Sequence, residues 1–236
     1  TAAADHAKLA GFAGQYAVLA ADSAAGSPAL RTLDPAAGAP GPAVPADGSF
    51  YPAGYKDYNV LAAGGESAVL DAAGAEVARF SGLCLFYSGH TALLCAETAA
   101  PARLNRTEYG ESTADGLTLV LPDGSTETVR AAAWNTRSGS LAVQQPGGIT
   151  VFGPDGSARY TVTDALPAGS TFSLLANNVL AVTGTPRAPF TALYSGSGPL
   201  WRSETYQGFV LYDGSCIPAV YDAAGGRALI LQGGRT

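Results

Sequence analysis

Short runs of β-forming residues, divided by Asp/Pro/Gly turns, recur along the chain. The clearest copies are residues 67–80 about Asp71 and Gly74, residues 117–129 about Pro122-Asp123-Gly124, and residues 149–162 about Pro154-Asp155-Gly156. Weaker copies span residues 190–201 and 209–220. Asp-Gly between alternating β-formers predicts a β-hairpin, because Gly accepts the positive φ that primed turns require. A second kind of hairpin alternates with the first: 83–95 about Gly89-His90, 132–144 about Ser138-Gly139, and 172–183 about Asn177-Asn178. Two hairpins make a four-stranded antiparallel unit that recurs at about forty residues, which is the blade of a β-propeller. The pattern therefore predicts an all-β chain, a single β-propeller domain over residues 1–236 with roughly five or six blades. A β-sandwich or double β-barrel made from the same short strands is the alternative. Only residues 3–19 could sustain a helical period beyond about ten residues.

One copy resembles a known repeat. Val69-Leu70-Asp71-Ala72-Ala73-Gly74-Ala75-Glu76-Val77 is similar to the strand–turn–strand of quinoprotein-like bacterial propeller repeats, as are Tyr221-Asp222-Ala223-Ala224-Gly225 and Leu33-Asp34-Pro35-Ala36-Ala37-Gly38. The likeness covers turns and a few flanking residues. It implies the propeller superfold and no activity. The regular tryptophan of that repeat is largely absent, Trp134 and Trp201 being the two in the chain. The vicinal Cys pair of quinone-dependent dehydrogenases of that fold is absent too, and no cofactor is expected.

Composition narrows the function classes. At 47% hydrophobic and 14% charged, the chain can bury a full core and lacks the signature of disorder. A net charge of −6, with no basic run, argues against a nucleic-acid partner. The longest uncharged apolar stretch, residues 80–96, is interrupted by Ser88-Gly89-His90-Thr91, so no transmembrane segment is expected. The start at Thr1, followed by Ala2-Ala3-Ala4, reads as a mature chain after removal of a signal peptide or lipoprotein leader. The expectation is an extracellular or cell-envelope protein.

Cys84 and Cys95 flank the Gly89-His90 turn symmetrically. With a two-residue loop, Leu85 would face Leu94 and Cys84 would face Cys95, at a Cα separation of about 5.5 Å that suits a disulfide. Such a bridge would itself point to an oxidising compartment. Two buried thiols are the alternative, and Cys216 has no evident partner. His6 and His90 form no metal-ligand spacing, so no metal is expected. Gly214-Ser215-Cys216-Ile217-Pro218 loosely resembles the nucleophile loop of trypsin-like serine proteases, and the order His90, Asp115, Ser215 would suit that family. Cys216 and Ile217 nevertheless replace the glycines that shape its oxyanion hole, and a hairpin turn explains the segment. A propeller glycoside hydrolase would need convergent carboxylates. Asp34, Asp71, Asp123, Asp155, Asp213 and Asp222 instead read as turn residues bonding their own backbone. Asp57, Glu97, Glu108, Glu111 and Asp115 remain in longer connections.

The connection lengths locate a candidate surface. Residues 38–58, 98–116, 164–171 and 184–189 read as long links that gather on one face, where propellers bind. The first carries Phe50, Tyr51, Tyr55 and Tyr58, and the second Arg103, Arg106 and Tyr109. Tyr and Arg are typical hot-spot residues. The expectation is a non-catalytic protein that binds a protein, peptide or glycan through Tyr51, Tyr55, Arg103, Arg106 and Tyr109. The bland alternative is that these aromatics pin long loops to the blades.

Overall fold

The computed structural model describes residues 7–13, 16–21, 29–34, 36, 38–40, 49–52, 58–71, 75–95, 102–105, 109–112, 116–175, 178–204, 209–211, 218–222 and 227–230. Among them the chain is built of antiparallel strands, with no helix long and apolar enough to cross a membrane. Four sheets have four strands each. They are β1 (Ala7–Ala13) to β4 (Ala39–Pro40) through β2 (Tyr16–Ala21) and β3 (Ala29–Asp34); β5 (Ser49–Pro52), β6 (Asn59–Ala63), β7 (Glu66–Leu70) and β8 (Glu76–Ser81); β9 (Leu83–Tyr87), β10 (Ala92–Cys95), β13 (Leu117–Val120) and β14 (Thr126–Val129); and β19 (Thr171–Leu174), β20 (Leu180–Thr185), β21 (Ala188–Ser195) and β22 (Gly198–Ser203). A six-stranded sheet runs β11 (Ala102–Asn105), β12 (Tyr109–Ser112), β15 (Ala132–Asn135), β16 (Ser140–Gln145), β17 (Gly148–Phe152), β18 (Ala158–Val162). Three strands, β23 (Phe209–Leu211), β24 (Pro218–Asp222) and β25 (Arg227–Ile230), form the last described sheet.

The expected hairpins form. Their phase is now fixed: within a sheet the second kind of hairpin comes first, β9–β10 before β13–β14, β15–β16 before β17–β18, and β19–β20 before β21–β22. Burial follows that order. β9, β10 and β15 are covered on both faces, which is why β9 (Leu-Cys-Leu-Phe-Tyr) and β10 read as continuous apolar runs, while β19 is covered on one. The outermost strands β8, β14 and β18 are mostly exposed and carry the polar residues.

The Asp-Gly turns differ in type from the two-residue primed turns that the sequence suggests. Gly124 donates its amide to the Leu121 carbonyl at 2.9 Å while Leu121 donates to Ser125, which makes Pro122-Asp123-Gly124 a three-residue connection. Gly124 holds φ +82°, the left-handed position that closes such a turn. Pro154-Asp155-Gly156 repeats it, with Gly156 at φ +74°.

By its internal contacts the chain divides into two compact units, Thr1–Ala99 with Gly116–Glu127, and Ala100–Asp115 with Thr128–Thr236. In the first, Val60 and Val69 pack with Cys84, Tyr87, Ala92 and Leu94. Ser67, fully buried, donates to the Gly82 carbonyl at 2.7 Å and accepts from the Cys84 amide at 3.0 Å, tying β7 to the start of β9. In the second, Ala133, Ala142 and Val151 meet Phe172, Leu174, Leu180, Val182 and Phe190, so the β15–β18 and β19–β22 sheets share a core.

The expected Cys84–Cys95 bridge is corrected by the register. Ala92 faces Tyr87 and Leu93 faces Phe86 as expected, but a bulge follows, and Cys84 stands opposite Leu94 while Cys95 stands opposite Leu83. One extra residue on a strand turns every later side chain to the other face. Cys84 joins the cluster of Tyr87, Ala92 and Leu94, whereas Cys95 alternates away from Leu94, and both are buried thiols without a disulfide.

Candidate functional site

The second long link is not a loop. Residues 102–112 form the hairpin β11–β12, inserted between β10 and β13 yet paired onto β15 of the six-stranded sheet. Arg103 sits in β11 opposite Glu111, and Tyr109 opens β12 between Asn105 and Asn135. Strand alternation and cross-strand pairing put Glu111 and Asn135 on one side of that sheet. Glu111 accepts a hydrogen bond from the Ser173 hydroxyl at 3.2 Å, which attaches this side to β19. On the other side Gly110 faces Trp134, and the buried indole lies directly over the glycine. Arg106 falls outside the described residues.

The first link also contains a strand. Tyr51 lies in β5 opposite Val60, while Tyr55, in the connection from β5 to β6, is outside the described residues. Tyr58 is an anchor, its ring meeting Tyr87 edge-on at 5.0 Å and lying against Gly89. Residues 184–189 are likewise no long link, because β20 and β21 run to Thr185 and from Ala188 as one hairpin. Tyr51 and Tyr55 belong to the first unit, and Arg103, Arg106 and Tyr109 to the second.

Asp71, Asp123 and Asp155 bond their own turns as the sequence suggests, whereas Asp34 ends β3 opposite Ala39 and Asp222 ends β24 opposite Arg227. Asp71 accepts from the Ala75 amide at 2.9 Å, and Asp123 accepts the Ser125 amide and hydroxyl at 2.9 and 2.6 Å. Asp155 does the same with Ser157 at 3.2 and 2.8 Å. The serine hydroxyl bonds, more than the amide bonds, hold both carboxyls below the usual range. Asp213, Asp57, Glu97, Glu108, Asp115 and Ser215 are outside the described residues, and His90 sits in the exposed turn between β9 and β10. Among the described residues no three His, Cys, Asp or Glu side chains gather as a metal site. Burial pushes the Cys84 thiol up to about 12, which leaves it protonated and unreactive at neutral pH.

A polar cluster in the second unit has no signal in the local sequence pattern. Tyr160 donates its phenol to the carbonyls of Asn178 at 2.5 Å and Tyr194 at 3.2 Å. Ser140, fully buried, donates to the Asn178 side-chain oxygen. Tyr194 donates to Asp164 at 2.9 Å, and Arg202, which is 3.8 Å from Asp164, lies 5.0 Å over the Phe190 ring. Burial pushes Tyr160 up to about 12; burial, then the Asp164 hydrogen bond, does the same to Tyr194. These groups fasten connections to strands. Their partners come from residues 18 to 38 positions away, which local pattern does not reveal.

No model of a known protein family matches the chain, and no curated protein matches it in sequence. Solved structures resemble it distantly. A protein of unknown function from Bacteroides caccae is 8% identical, with 82% of this chain and 78% of that one covered and a TM-score of 0.28. A puromycin-hydrolyzing peptidase of Mycobacterium tuberculosis is 17% identical over 96% of this chain and 44% of that one, with a TM-score of 0.30. PorZ, a surface component of the type-IX secretion system of Porphyromonas gingivalis, is 10% identical over 98% of this chain and 39% of that one, at a TM-score of 0.23. The chain thus spans less than half the length of the peptidase and of PorZ.

Proposed function

We propose that the successive sheets are blades of a β-propeller, and that the chain is a non-catalytic protein that binds a protein, peptide or glycan through residues carried on its added segments. Support for the blades is the strand order: once the β11–β12 insertion is set aside, every described sheet runs in chain order, without the crossed Greek-key pairings of a sandwich. The greater exposure of β8 than of β7, and of β14 than of β13, is consistent with it.

The observation that carries the binding reading is the insertion itself. A repeat needs four strands, and additions to one repeat commonly build the binding face. This addition carries Arg103, Arg106 and Tyr109, and Tyr55 follows Tyr51 in the connection from β5 to β6. The described carboxylates Asp71, Asp123, Asp155, Glu66, Glu76 and Asp164 are held by turn amides, hydroxyls or arginines, which favours binding over acid–base chemistry. Export loses the support of the disulfide, but binding through this surface requires no particular compartment.

Glycan arrays and displayed peptide libraries, probed with the full chain and with Tyr55→Ala, Arg106→Ala and Tyr109→Ala, test the proposal. A true hot spot loses about 2 kcal/mol, close to thirtyfold in affinity, with melting unchanged. Absence of any ligand, or variants that lose stability while keeping affinity, overturns it.

A further inference from the structure

Three outermost strands carry the same irregularity at the same place. In the β5–β8 sheet the pairings β5–β6 and β6–β7 run without a shift, and only β7–β8 has one. There Val69 faces Ala78 and Leu70 faces Glu76, which leaves Val77 as an extra residue. Val77 is 44% exposed, so no core requires it there. In the six-stranded sheet the bulge again falls on the last pairing: Val151 faces Tyr160, Phe152 faces Ala158, and Arg159 is extra. β22 repeats it, with Leu193 facing Trp201, Tyr194 facing Pro199 and Leu200 between. The same strands carry ion pairs. Arg79 of β8 donates to Glu76 at 2.9 and 2.5 Å and to Glu66 of β7 at 3.2 Å. Arg159 of β18 meets Asp155 at 2.9 Å, its guanidinium lying where Gly153 has no Cβ. Arg202 of β22 meets Glu204 at 3.3 Å.

We infer that β8, β18 and β22 are shaped to refuse a further strand, so that copies of this chain do not join through these edges. Each stands at the end of its sheet, and β8 and β18 are mostly exposed. An edge strand in that position is a template for another strand, because its outward amides and carbonyls seek partners. The bulge bends the edge and sets those groups out of step with a straight incoming strand. A strand added there would also cover the ion pairs, whose charges would give up water without gaining a partner. In β22, Pro199 removes one amide donor outright. The inference goes beyond the binding reading and holds whatever the insertion binds, since it concerns other strands and needs no ligand.

Stripping both devices from β8 tests it in the full chain. One variant deletes Val77, a second carries Glu66→Thr, Glu76→Thr and Arg79→Thr, and a third combines them. Threonine favours strands without adding a large apolar surface. Sedimentation velocity over a range of protein concentrations reads association, the amide I infrared band reads strand pairing between molecules, and near-ultraviolet circular dichroism reads the fold. As concentration rises, the combined variant should gain average mass and intermolecular strand signal over the wild type while its tertiary signal stays native. Arg137→Thr, which removes an exposed charge from the turn between β15 and β16, should behave as the wild type does. Deletion of Arg159 removes bulge and charge from β18 together, and repeats the test in the second unit where the β8 variants fail to fold. Folded variants that keep the wild-type mass at every concentration overturn the inference. So does a wild-type chain that already gains intermolecular strand signal with concentration, or an Arg137→Thr chain that associates as strongly as the combined variant.

Discussion

The indole of Trp134 lies over Gly110 of the neighbouring strand so closely that a Cβ added to the glycine would overlap the ring. The indole is also almost fully buried, so it has little room to withdraw. Gly110→Ala should destabilise the second unit by about 1–3 kcal/mol, as overpacking does. Urea unfolding followed by tryptophan emission measures it; an unchanged midpoint would show that the ring moves aside freely.

Gly124 makes the opposite case. Its φ is +82° and nothing lies within 4 Å of an added Cβ, so Gly124→Ala meets only the backbone penalty. The expected loss is about 1 kcal/mol. Asp123→Ala, which removes the bonds to Ser125, should lower the melting temperature at neutral pH and change it less in acid. The sign follows from the lowered Asp123 carboxyl: the stabilisation is complete above the ordinary carboxylate range and disappears as pH falls through the folded value. Melts between neutrality and strong acid, with and without the substitution, check both statements.

These two glycines also show what the sequence reveals. A turn such as Pro122-Asp123-Gly124 is local, so its hairpin was legible from a few residues, and so was the four-stranded period. Register was not. The bulge that parts Cys84 from Cys95 leaves no compositional mark, and a symmetric pair of cysteines about a two-residue turn looked bridged. Residues 98–116 read as a loop because they carry Pro, Gly and charge and no Val or Ile, and pairing with β15 overrides weak propensity. Whether a Tyr or Arg binds or anchors depends on what it packs against, and Tyr58 was read beside Tyr55 although its ring is spent on Tyr87.

Alkylation before and after unfolding tests the cysteines. Cys84 and Cys95 should resist a thiol reagent in the folded protein and react fully in urea without reductant, leaving intact mass identical with and without reductant. A mass two hydrogens lower without reductant would restore the bridge.

Alkaline pH should weaken the second unit. Tyr160 and Tyr194 are raised from 10.0 to about 12, so the folded state holds their protons more tightly than the unfolded state does. Their stabilisation is complete below pH 10.0 and is lost as pH climbs toward 12. Tyr194→Phe should cost about 1–2 kcal/mol at neutral pH by removing the bond to Asp164, and should flatten part of the alkaline decline. A decline as steep in the variant would assign the effect elsewhere.

The inserted hairpin also sets a timetable. Nearly every described strand pairs with its immediate neighbour in the chain, a local topology that favours rapid folding. The pairings of β10 with β13 and of β12 with β15 span the insertion and bring together more distant segments. Individual meanders can form early, whereas these two ladders wait on a longer search. The slowest refolding phase should therefore be the one in which Trp134 is covered by Gly110.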